Sequence, residues 1–533
     1  MGDMVLLATR QGVVCHRHRL PVISCATNTK PSRLKLPPGP STLPLIGSIH
    51  HFVSSSESVH SVMRRLAREH GPVMQLWFGE VPTVVASSPE AAQEILRSKD
   101  LAFADRHLTS GTDAFSFGGR DVALAPYGER WRHLRRLLTQ ELLTAARVRS
   151  FQRIREEEVA RLVRDVSAAA AAAPGTAVNL TEMITRLIND IVLRCSVGSR
   201  SKYSDEYLAA LNDMVGQTFS LSVADLFPSS KLASMVATAP RRALETRNKM
   251  ERVIQQIIQE RRDQIEADMA SGDQVTAAAG SKSCSLDVLL RLQKEGGAPM
   301  PITNDVIVVL LMDIFAGGTD TSSTTLTWTM AELIRSPRVM AKAQAEVRQA
   351  FEGKNTITED DLAQLSYLKM VIKESLRLHC PAPLLAPRKC RETCTIMGYD
   401  VPKGTSVFVN AWAICRDSKY WEDAEEFKPE RFENNNIEYK GSNFEFLPFG
   451  SGHRICPGIN LGLANMEFAL ANLLYHFDWK LPNGMLHKDL DMREAPGLIA
   501  AKHTSLNVCP VTHIAPKLLI NANVTNNASS KRT

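Results

Sequence analysis

A short segment near the C-terminus presents a single thiol in a glycine-rich loop. Residues Phe449 to Gly458 read FGSGHRICPG, and an apolar helical run, Leu461 to Tyr475, follows them. The glycines allow positive φ and the close approach of a flat ligand, and Pro457 presets the backbone at the start of the helix. A cysteine at a helix N-terminus is favoured as a thiolate, a strong axial ligand for iron, so Cys456 is the first candidate for chemistry. Considered alone, such a loop also serves packing, and both interpretations stand at this point.

A second candidate lies inside the longest apolar periodic segment, Asn304 to Arg335. Two adjacent glycines begin there at Gly317, and each costs about 1 kcal/mol relative to Ala in a helix interior. Close helix packing would explain them. Alternatively, the helix opens locally against a ligand, and the carboxyl of Asp320 and the hydroxyl of Thr321 relay protons. Asp313 precedes Gly317 by four residues, as Gly317 precedes Thr321, so we expect the three to line one cavity.

The chain that positions these residues has the composition of a soluble globular protein with a large core. Of its 533 residues, 44% are hydrophobic and 23% are charged. The net charge of +6 is small for this length and does not indicate nucleic-acid binding. The 10 cysteines lack the dense spacing of a disulfide scaffold, which favours a reducing compartment. The pattern predicts a β-hairpin at Gln75 to Ser87, helices at Pro89 to Ser98, Gly128 to Gln140 and Met250 to Asp268, and a long loop from Phe103 to Ala125.

Five ordered motifs resemble the signatures of the cytochrome P450 superfamily. The Cys456 segment matches F-x-x-G-x-R-x-C-x-G at every fixed position. The other motifs are A/G-G-x-D/E-T at Gly317, Gly318, Asp320 and Thr321, W-x-x-x-R at Trp131 and Arg135, E-x-x-R at Glu374 and Arg377, and P-E-R-F at Pro429 to Phe432. The set spans residues 37 to about 510. The resemblance implies a mainly α fold with a small β region, the cytochrome P450 fold, with haem between the Asn304 to Arg335 helix and the Cys456 loop.

The resemblance also implies a role for each of these positions. Cys456 is the axial ligand of the iron in haem b, Thr321 orients dioxygen, and Asp320 helps to deliver protons. The side chains expected at the haem carboxylates are Trp131, Arg135, Arg388 and Arg454. A buried ionic cluster that braces the haem loop comprises Glu374, Arg377 and Arg431. The commoner fate of an E-x-x-R pair is an exposed helix surface, where it contributes about 0.2–0.5 kcal/mol, whereas breaking a buried pair costs about 3–5 kcal/mol.

The chain is most similar to plant A-type members of the superfamily in three segments, Leu36 to Gly47, Phe103 to Arg106 and Phe446 to Gly458. Among these members it is similar to terpenoid oxidases of the premnaspirodiene oxygenase and zealexin synthase kind. The resemblance implies a haem-thiolate monooxygenase that hydroxylates a hydrophobic sesquiterpene or diterpene of specialised or defence metabolism. Its pocket is expected to comprise Phe115, Phe117, Asp313, Ala316, Gly317, Leu384, Leu385, Leu498 and Ile499. Two alternatives remain: a haem-thiolate isomerase or dehydratase that works without dioxygen, and a non-catalytic product that lacks a membrane anchor.

Electrons for a monooxygenase must come from outside, because the sequence shows no flavin or nicotinamide domain. We expect an NADPH-cytochrome P450 reductase as partner, attracted by a basic surface on one helix. Most charge runs are merely solvated, which is the alternative here. The residues of the predicted basic surface are Arg130, Arg132, His133, Arg135 and Arg136.

The first 36 residues form a basic leader with one acidic residue, Asp3, against six arginines and lysines. Its longest apolar run, Met4 to Ala8, is far shorter than the ~20 residues that a spanning helix needs, so we expect no clear transmembrane helix there. A transit peptide to a plastid is one interpretation. A shortened or atypical leader is the other, on a protein with peripheral or anchored association at the cytoplasmic face of the endoplasmic reticulum. We expect the monooxygenase domain over residues 37–515 and a disordered tail over residues 516–533.

Overall fold

The structure is a computed structural model that describes residues 34–515, except 54, 56, 200–203, 219–221, 271–282, 298, 355–356 and 498. The predictions for the leader before residue 34, for the tail from residue 516 onward and for Leu498 lie outside the described residues. The described residues from Leu36 onward belong to one structural unit.

Helices dominate the described part of the chain, as the sequence predicts. The α-helices are α1 His50–Val53, α2 Val59–His70, α3 Pro89–Gln93, α4 Ser110–Phe115, α5 Glu129–Arg136, α6 Ala145–Ser150, α7 Gln152–Ala172, α8 Leu180–Val197, α9 Ser204–Thr218, α10 Val223–Leu226, α11 Lys231–Val236, α12 Ala239–Ala270, α13 Ser285–Glu295, α14 Asn304–Arg335, α15 Pro337–Ala350, α16 Ser366–Leu378, α17 Ala411–Ile414 and α18 Ile459–His476. Helices α3 and α5 continue as π-helical turns over Glu94–Ser98 and Leu137–Leu142. Short 3-10 turns occupy Asp100–Phe103, Glu359–Gln364, Pro429–Phe432, Gly452–Arg454, Pro482–Gly484 and His487–Asp489.

Within the part of the chain that the structure describes, the β region is small and forms three sheets. Its strands are β1 Val73–Phe78, β2 Val81–Ala86, β3 Asp105–Arg106, β4 Val178–Asn179, β5 Arg388–Lys389, β6 Cys394–Ile396, β7 Tyr399–Val401, β8 Ser406–Val409, β9 Phe477–Lys480 and β10 Asn507–Thr512. The largest sheet has the order β1-β2-β8-β5-β3, and the others are β4-β10-β9 and β6-β7. In the predicted hairpin, β1 and β2 pair antiparallel with Val73 opposite Ala86 and Phe78 opposite Val81.

The long loop predicted from Phe103 to Ala125 contains the short helix α4, so this prediction was wrong in part. The side chain of Thr109 accepts from the Thr112 N–H at 3.2 Å, and the Thr112 hydroxyl accepts from the Thr109 N–H at 2.7 Å. These reciprocal bonds satisfy N–H groups at the helix start. Helix α4 therefore depends on local capping by threonine. The prediction of helices rested on apolar periodicity, which this segment lacks.

Helix α14 is the central element and has the bounds that the sequence predicts. It packs against α8, α12, α16 and α18, and most of its side chains are buried, with Trp328 fully so. Among the described residues, it is the one helix long and apolar enough to cross a membrane, yet 67% of its most apolar window lies inside the protein. Burial of that kind is typical of a core helix, and it explains why the helix is apolar on all sides.

Candidate active site

A cavity of about 270 Å³ lies between α14 and the loop that carries Cys456. Gly317 and Thr321 of α14 line one side, and Cys456 with the first turn of α18 lines another. Apolar side chains such as Leu376 and Met466 complete much of the wall. The motif and site residues predicted from the sequence that line this cavity are Trp131, Arg135, Asp313, Gly317, Gly318, Thr321, Phe449, Arg454, Cys456, Pro457 and Gly458.

The Cys456 loop is held by its own backbone. The Cys456 N–H donates to the Phe449 carbonyl at 3.0 Å, and the Gly458 N–H donates to the Cys456 sulfur at 3.3 Å. Burial raises the pKa of the Cys456 thiol, while the Gly458 N–H and the Arg135 guanidinium act in the opposite direction. Burial therefore opposes ionisation of the thiol in the polypeptide alone. A bound metal cation would supply the missing stabilisation, because coordination deprotonates a thiol.

One edge of the cavity carries Trp131 and two arginines. The Trp131 indole donates to the Val122 carbonyl at 3.0 Å, and the Arg454 guanidinium lies 4.3 Å from the Trp131 ring centroid. Arg135, one helical turn after Trp131, donates to the Ile455 carbonyl in the Cys456 loop. The expected spacing on α5 therefore brings both W-x-x-x-R side chains to the cavity.

Two further arginines differ from the sequence-based assignment. Arg388 does not line the cavity, because its guanidinium donates to the Asp100 carboxylate at 2.7 Å and to the Ser451 carbonyl at 3.3 Å. Arg106, which received no site role from the sequence, does line it and donates to the Ala123 carbonyl at 3.0 Å. The Ala-Asp-Arg sequence that ends at Arg106 was the available signal, and it served only to support the family resemblance.

Positive charge at this edge exceeds the negative charge that opposes it. Burial, reinforced by the charge of Arg388, lowers the pKa of Arg454 to about 10. Burial and the charges of Arg454 and Arg388 also lower the pKa of Arg106. The carboxyls of Asp105 and Asp121 oppose the three arginines Arg106, Arg135 and Arg454, and burial raises the pKa of Asp121 to about 6. An apolar cavity with a thiol on one wall and an excess of buried cations at one edge fits the flat macrocycle, iron and two carboxylates of haem.

Helix α14 runs without interruption past its two glycines, so the expected local opening was wrong. A Cβ on Gly318 would lie 3.1 Å from a methyl group of Val192 on α8, which supports the packing interpretation for that residue. Gly317 faces the cavity, and the Thr321 hydroxyl donates to its carbonyl at 2.8 Å. Asp320 does not line the cavity, and burial raises the pKa of its carboxyl to about 6.

Asp313 and Gly317 are the two predicted pocket residues that line the cavity. The described residues that were predicted to line it but do not are Phe115, Phe117, Ala316, Leu384, Leu385 and Ile499. Phe117 belongs to the helical core, Leu385 packs against the β region, and Leu384 packs against side chains of α2 and β1. Sequence reasoning identified segments that approach the site, but the side chain that each segment directs inward depends on its backbone conformation.

A buried ionic cluster stands behind the Cys456 loop. Glu374 and Arg377, both fully buried, pair at 2.8 Å within α16, and Arg431 pairs with the same carboxylate at 2.9 Å. The Arg377 guanidinium also donates to three backbone carbonyls, those of Cys415 and Ala424 at 2.7 Å and that of Glu426 at 3.1 Å. The exposed-surface alternative for E-x-x-R was therefore wrong, and the two arginines join α16 to the segment that precedes the loop.

The cavity between α14 and the Cys456 loop, with arginines at one edge, is typical of a protein that encloses a flat, metal-containing group between a core helix and a cysteine loop. The cytochrome P450 family model matches residues 37–508. The chain is 67% identical to ent-cassadiene hydroxylase of Oryza sativa subsp. japonica, over 91% of this chain and 93% of that protein. It is 57% identical to zealexin A1 synthase of Zea mays, over 97% and 99% of the two chains. A zebra fish cytochrome P450 solved with abiraterone is 25% identical, covers 85% of this chain and 99% of its own, and superimposes with a TM-score of 0.68.

The chain belongs to the cytochrome P450 family. It is a P450 monooxygenase whose cofactor is haem and which uses dioxygen and electrons supplied by a reductase. The mainly α fold with a small β region, expected from the sequence, is confirmed, as is the resemblance to plant terpenoid oxidases.

Proposed function

We propose that this enzyme hydroxylates a sesquiterpene or diterpene hydrocarbon, with residues 37–515 as its catalytic domain. The observation that carries the proposal is the 67% identity to ent-cassadiene hydroxylase over nearly the whole domain. The cavity supports it, because Ile314, Leu376, Leu461 and Met466 give much of its wall an apolar surface. Such a wall suits a hydrocarbon and disfavours a charged substrate.

Within that proposal, Cys456 binds the haem iron, and Trp131, Arg135 and Arg454 hold the haem carboxylates. Bound haem supplies the iron chemistry that inserts one oxygen atom of dioxygen into a C–H bond. Arg106 belongs with the carboxylate-binding group because it lines the same cavity edge. Arg388 contributes indirectly, since its guanidinium is engaged by Asp100 and the Ser451 carbonyl.

Thr321 and Asp320 are the proposed proton carriers. The Thr321 hydroxyl lies on the cavity wall and can donate to a ligand there once it releases the Gly317 carbonyl, 2.8 Å away. Asp320 immediately precedes Thr321 in the chain, and a carboxyl with a pKa of about 6 exchanges protons readily near neutral pH. The haem-thiolate isomerase alternative would require neither group.

The reductase-binding surface that we propose is smaller than the sequence suggests. Of the basic residues on α5, Arg132 and Arg136 are exposed and Arg130 is half-buried. His133 is buried, and Arg135 turns toward the cavity. Two or three cations therefore remain to attract an acidic reductase surface.

We also propose that an apolar surface near α11 rests on a membrane, with the endoplasmic reticulum as the location. Met235 is 82% exposed and Leu232 is 71% exposed on α11, and Leu45 is 81% exposed near β1. The Glu80 N–H donates to the Leu226 carbonyl at 2.8 Å, so the turn between β1 and β2 contacts the end of α10. Large exposed apolar side chains such as Leu232 and Met235, three residues apart on α11, are typical of a membrane or protein contact.

The test is co-expression with a plant NADPH-cytochrome P450 reductase and ent-cassadiene as first substrate, followed by other terpene hydrocarbons, with products analysed by mass. We expect NADPH-dependent gain of one oxygen atom. A reduced carbon monoxide difference spectrum reports the thiolate ligand, and we expect Cys456→Ala to abolish its Soret band while Cys509→Ala retains it. Turnover without NADPH would favour the isomerase or dehydratase alternative, and an absent Soret band in the wild-type protein would favour the non-catalytic one.

A further inference from the structure

The segment that leads into the cavity-lining residues Val122 and Ala123 has an unfavourable backbone. Phe117, Gly118 and Gly119 follow one another with φ of 55°, 72° and 69°. A left-handed conformation costs an L-residue such as Phe117 roughly 1–2 kcal/mol. Residues in such conformations persist when surrounding contacts hold them. Contacts must therefore hold this segment and residues 121–125, which follow it.

The Val122 peptide group is held from two sides. Its N–H donates to Oδ2 of Asp313, on α14, at 2.7 Å. Its carbonyl accepts from the Trp131 indole at 3.0 Å and from the Arg454 guanidinium at 3.3 Å. Val122 and all three partners line the cavity. One peptide group thus connects the core helix with the edge that we assign to the haem carboxylates.

We propose that Asp313 is a positioning residue that fastens residues 121–125 over the cavity, and that the Val122 peptide couples substrate binding to haem retention. The coupling to haem rests on the proposed roles of Trp131 and Arg454. Asp313 was predicted to contact the substrate, but its carboxyl is engaged by the Val122 N–H and, in addition, by that of Ala123.

The chemistry of Asp313 agrees with this role. Burial and the nearby charge of Asp121 raise the pKa of the Asp313 carboxyl well above its usual range. A neutral carboxyl keeps a carbonyl oxygen that accepts from a backbone N–H. Asparagine keeps such an oxygen as well, whereas leucine, of similar size, does not. The pair Asp313→Asn and Asp313→Leu therefore separates loop fastening from recognition of a substrate by charge.

The first measurement is hydrogen exchange of the peptide covering residues 117–127 in the haem-loaded enzyme without substrate. We expect Asp313→Leu to accelerate exchange at least about tenfold, the effect of losing one hydrogen bond of about 1.4 kcal/mol. Asp313→Asn should stay close to the wild type. Asp305→Leu, an exposed aspartate near the start of the same helix, is the matched control and should change nothing. Unchanged exchange in Asp313→Leu would overturn the proposal.

The second measurement is haem transfer to excess apomyoglobin, together with optical titration by ent-cassadiene. We expect Asp313→Leu to lose haem several-fold faster and to bind the terpene more weakly, with Asp313→Asn near the wild type in both. If both variants lose terpene binding equally while exchange is unchanged, Asp313 contacts substrate directly and the positioning role is wrong. Because exchange and haem transfer need no substrate, a wrong terpene assignment leaves those two results interpretable. A normal reduced carbon monoxide spectrum establishes that each variant is folded.

Discussion

Replacing Arg377 by lysine should weaken the attachment of the Cys456 loop and release haem. The Arg377 guanidinium makes two hydrogen bonds to Glu374, at 2.8 and 2.9 Å, and three to backbone carbonyls. A lysine ammonium is a compact charge with three donors and no planar fork, so it cannot reach all five acceptors. At least two of the five acceptors lose this donor. The Glu374 carboxylate and the Glu426 carbonyl also accept from Arg431, whereas the Cys415 and Ala424 carbonyls accept from Arg377 at 2.7 Å.

The cost follows from those acceptors. Leaving one buried acceptor unsatisfied costs roughly 1–3 kcal/mol, so two cost roughly 2–6 kcal/mol. Lysine keeps the positive charge beside Glu374, so the loss comes from the unmade hydrogen bonds rather than from an uncompensated buried charge, which would cost about 3–5 kcal/mol. We therefore expect a loss of about 4 kcal/mol in the free energy of unfolding, a large share of the roughly 5–15 kcal/mol that stabilises a folded protein.

The assay is urea unfolding of the purified protein together with the ratio of Soret to protein absorbance after gel filtration. Arg377→Lys should be produced as folded polypeptide with a strongly reduced haem content. The matched control is Arg338→Lys, whose side chain is 69% exposed beside Glu430 and should cost less than about 1 kcal/mol. The reasoning fails if Arg377→Lys keeps a full complement of haem and unfolds at the same urea concentration as the control.

Three further predictions concern protons, electrons and the membrane. Burial raises the pKa of Asp320 from 3.8 to about 6. The folded protein therefore holds this proton more tightly than the unfolded chain does, and the free energy of unfolding falls as pH rises from about 4 through 6. In urea unfolding, Asp320→Asn should therefore raise the free energy of unfolding by up to about 3 kcal/mol at pH 8 and leave it unchanged at pH 4. The same variant should hydroxylate about 100-fold more slowly. A variant and wild type of equal stability at pH 8 would contradict the prediction. Arg132→Glu with Arg136→Glu should raise the KM for reductase roughly tenfold at low salt and less at high salt, with an unchanged carbon monoxide spectrum; a salt-independent KM would exclude steering. The double variant Leu232→Ser with Met235→Ser should co-sediment less with phospholipid vesicles than the wild type does. Unchanged co-sedimentation would show that α11 is not the membrane contact.

The sequence predicts the elements that carry chemistry better than the directions of individual side chains. Helix α14 follows from local periodicity, which acts within a few residues. Spacing puts Trp131 and Arg135 on one helix face, and the family resemblance alone implied their place at the site. The orientation of Arg388 could not be predicted, because its partner Asp100 lies 288 positions away along the chain. The same holds for Arg106, whose role at the cavity edge depends on how residues 121–125 fold back over it. Long-range packing determines these positions, and the Ala-Asp-Arg motif that ends at Arg106 marks the family without showing where the guanidinium points.

Asp100 shows what such a distant residue does for the site. Its carboxylate accepts from the His453 N–H at 2.6 Å and from Arg388 at 2.7 Å, so it holds the Cys456 loop from outside the cavity. Gly452 has a φ of 72°, and a Cβ there would lie 2.2 Å from the Asp100 carboxylate and 2.2 Å from the Leu96 carbonyl. The sequence analysis attributed the loop glycines to the approach of a flat ligand, but Gly452 is required by contact with the protein itself. Contacts within the polypeptide therefore fix this part of the loop, four residues before the thiol.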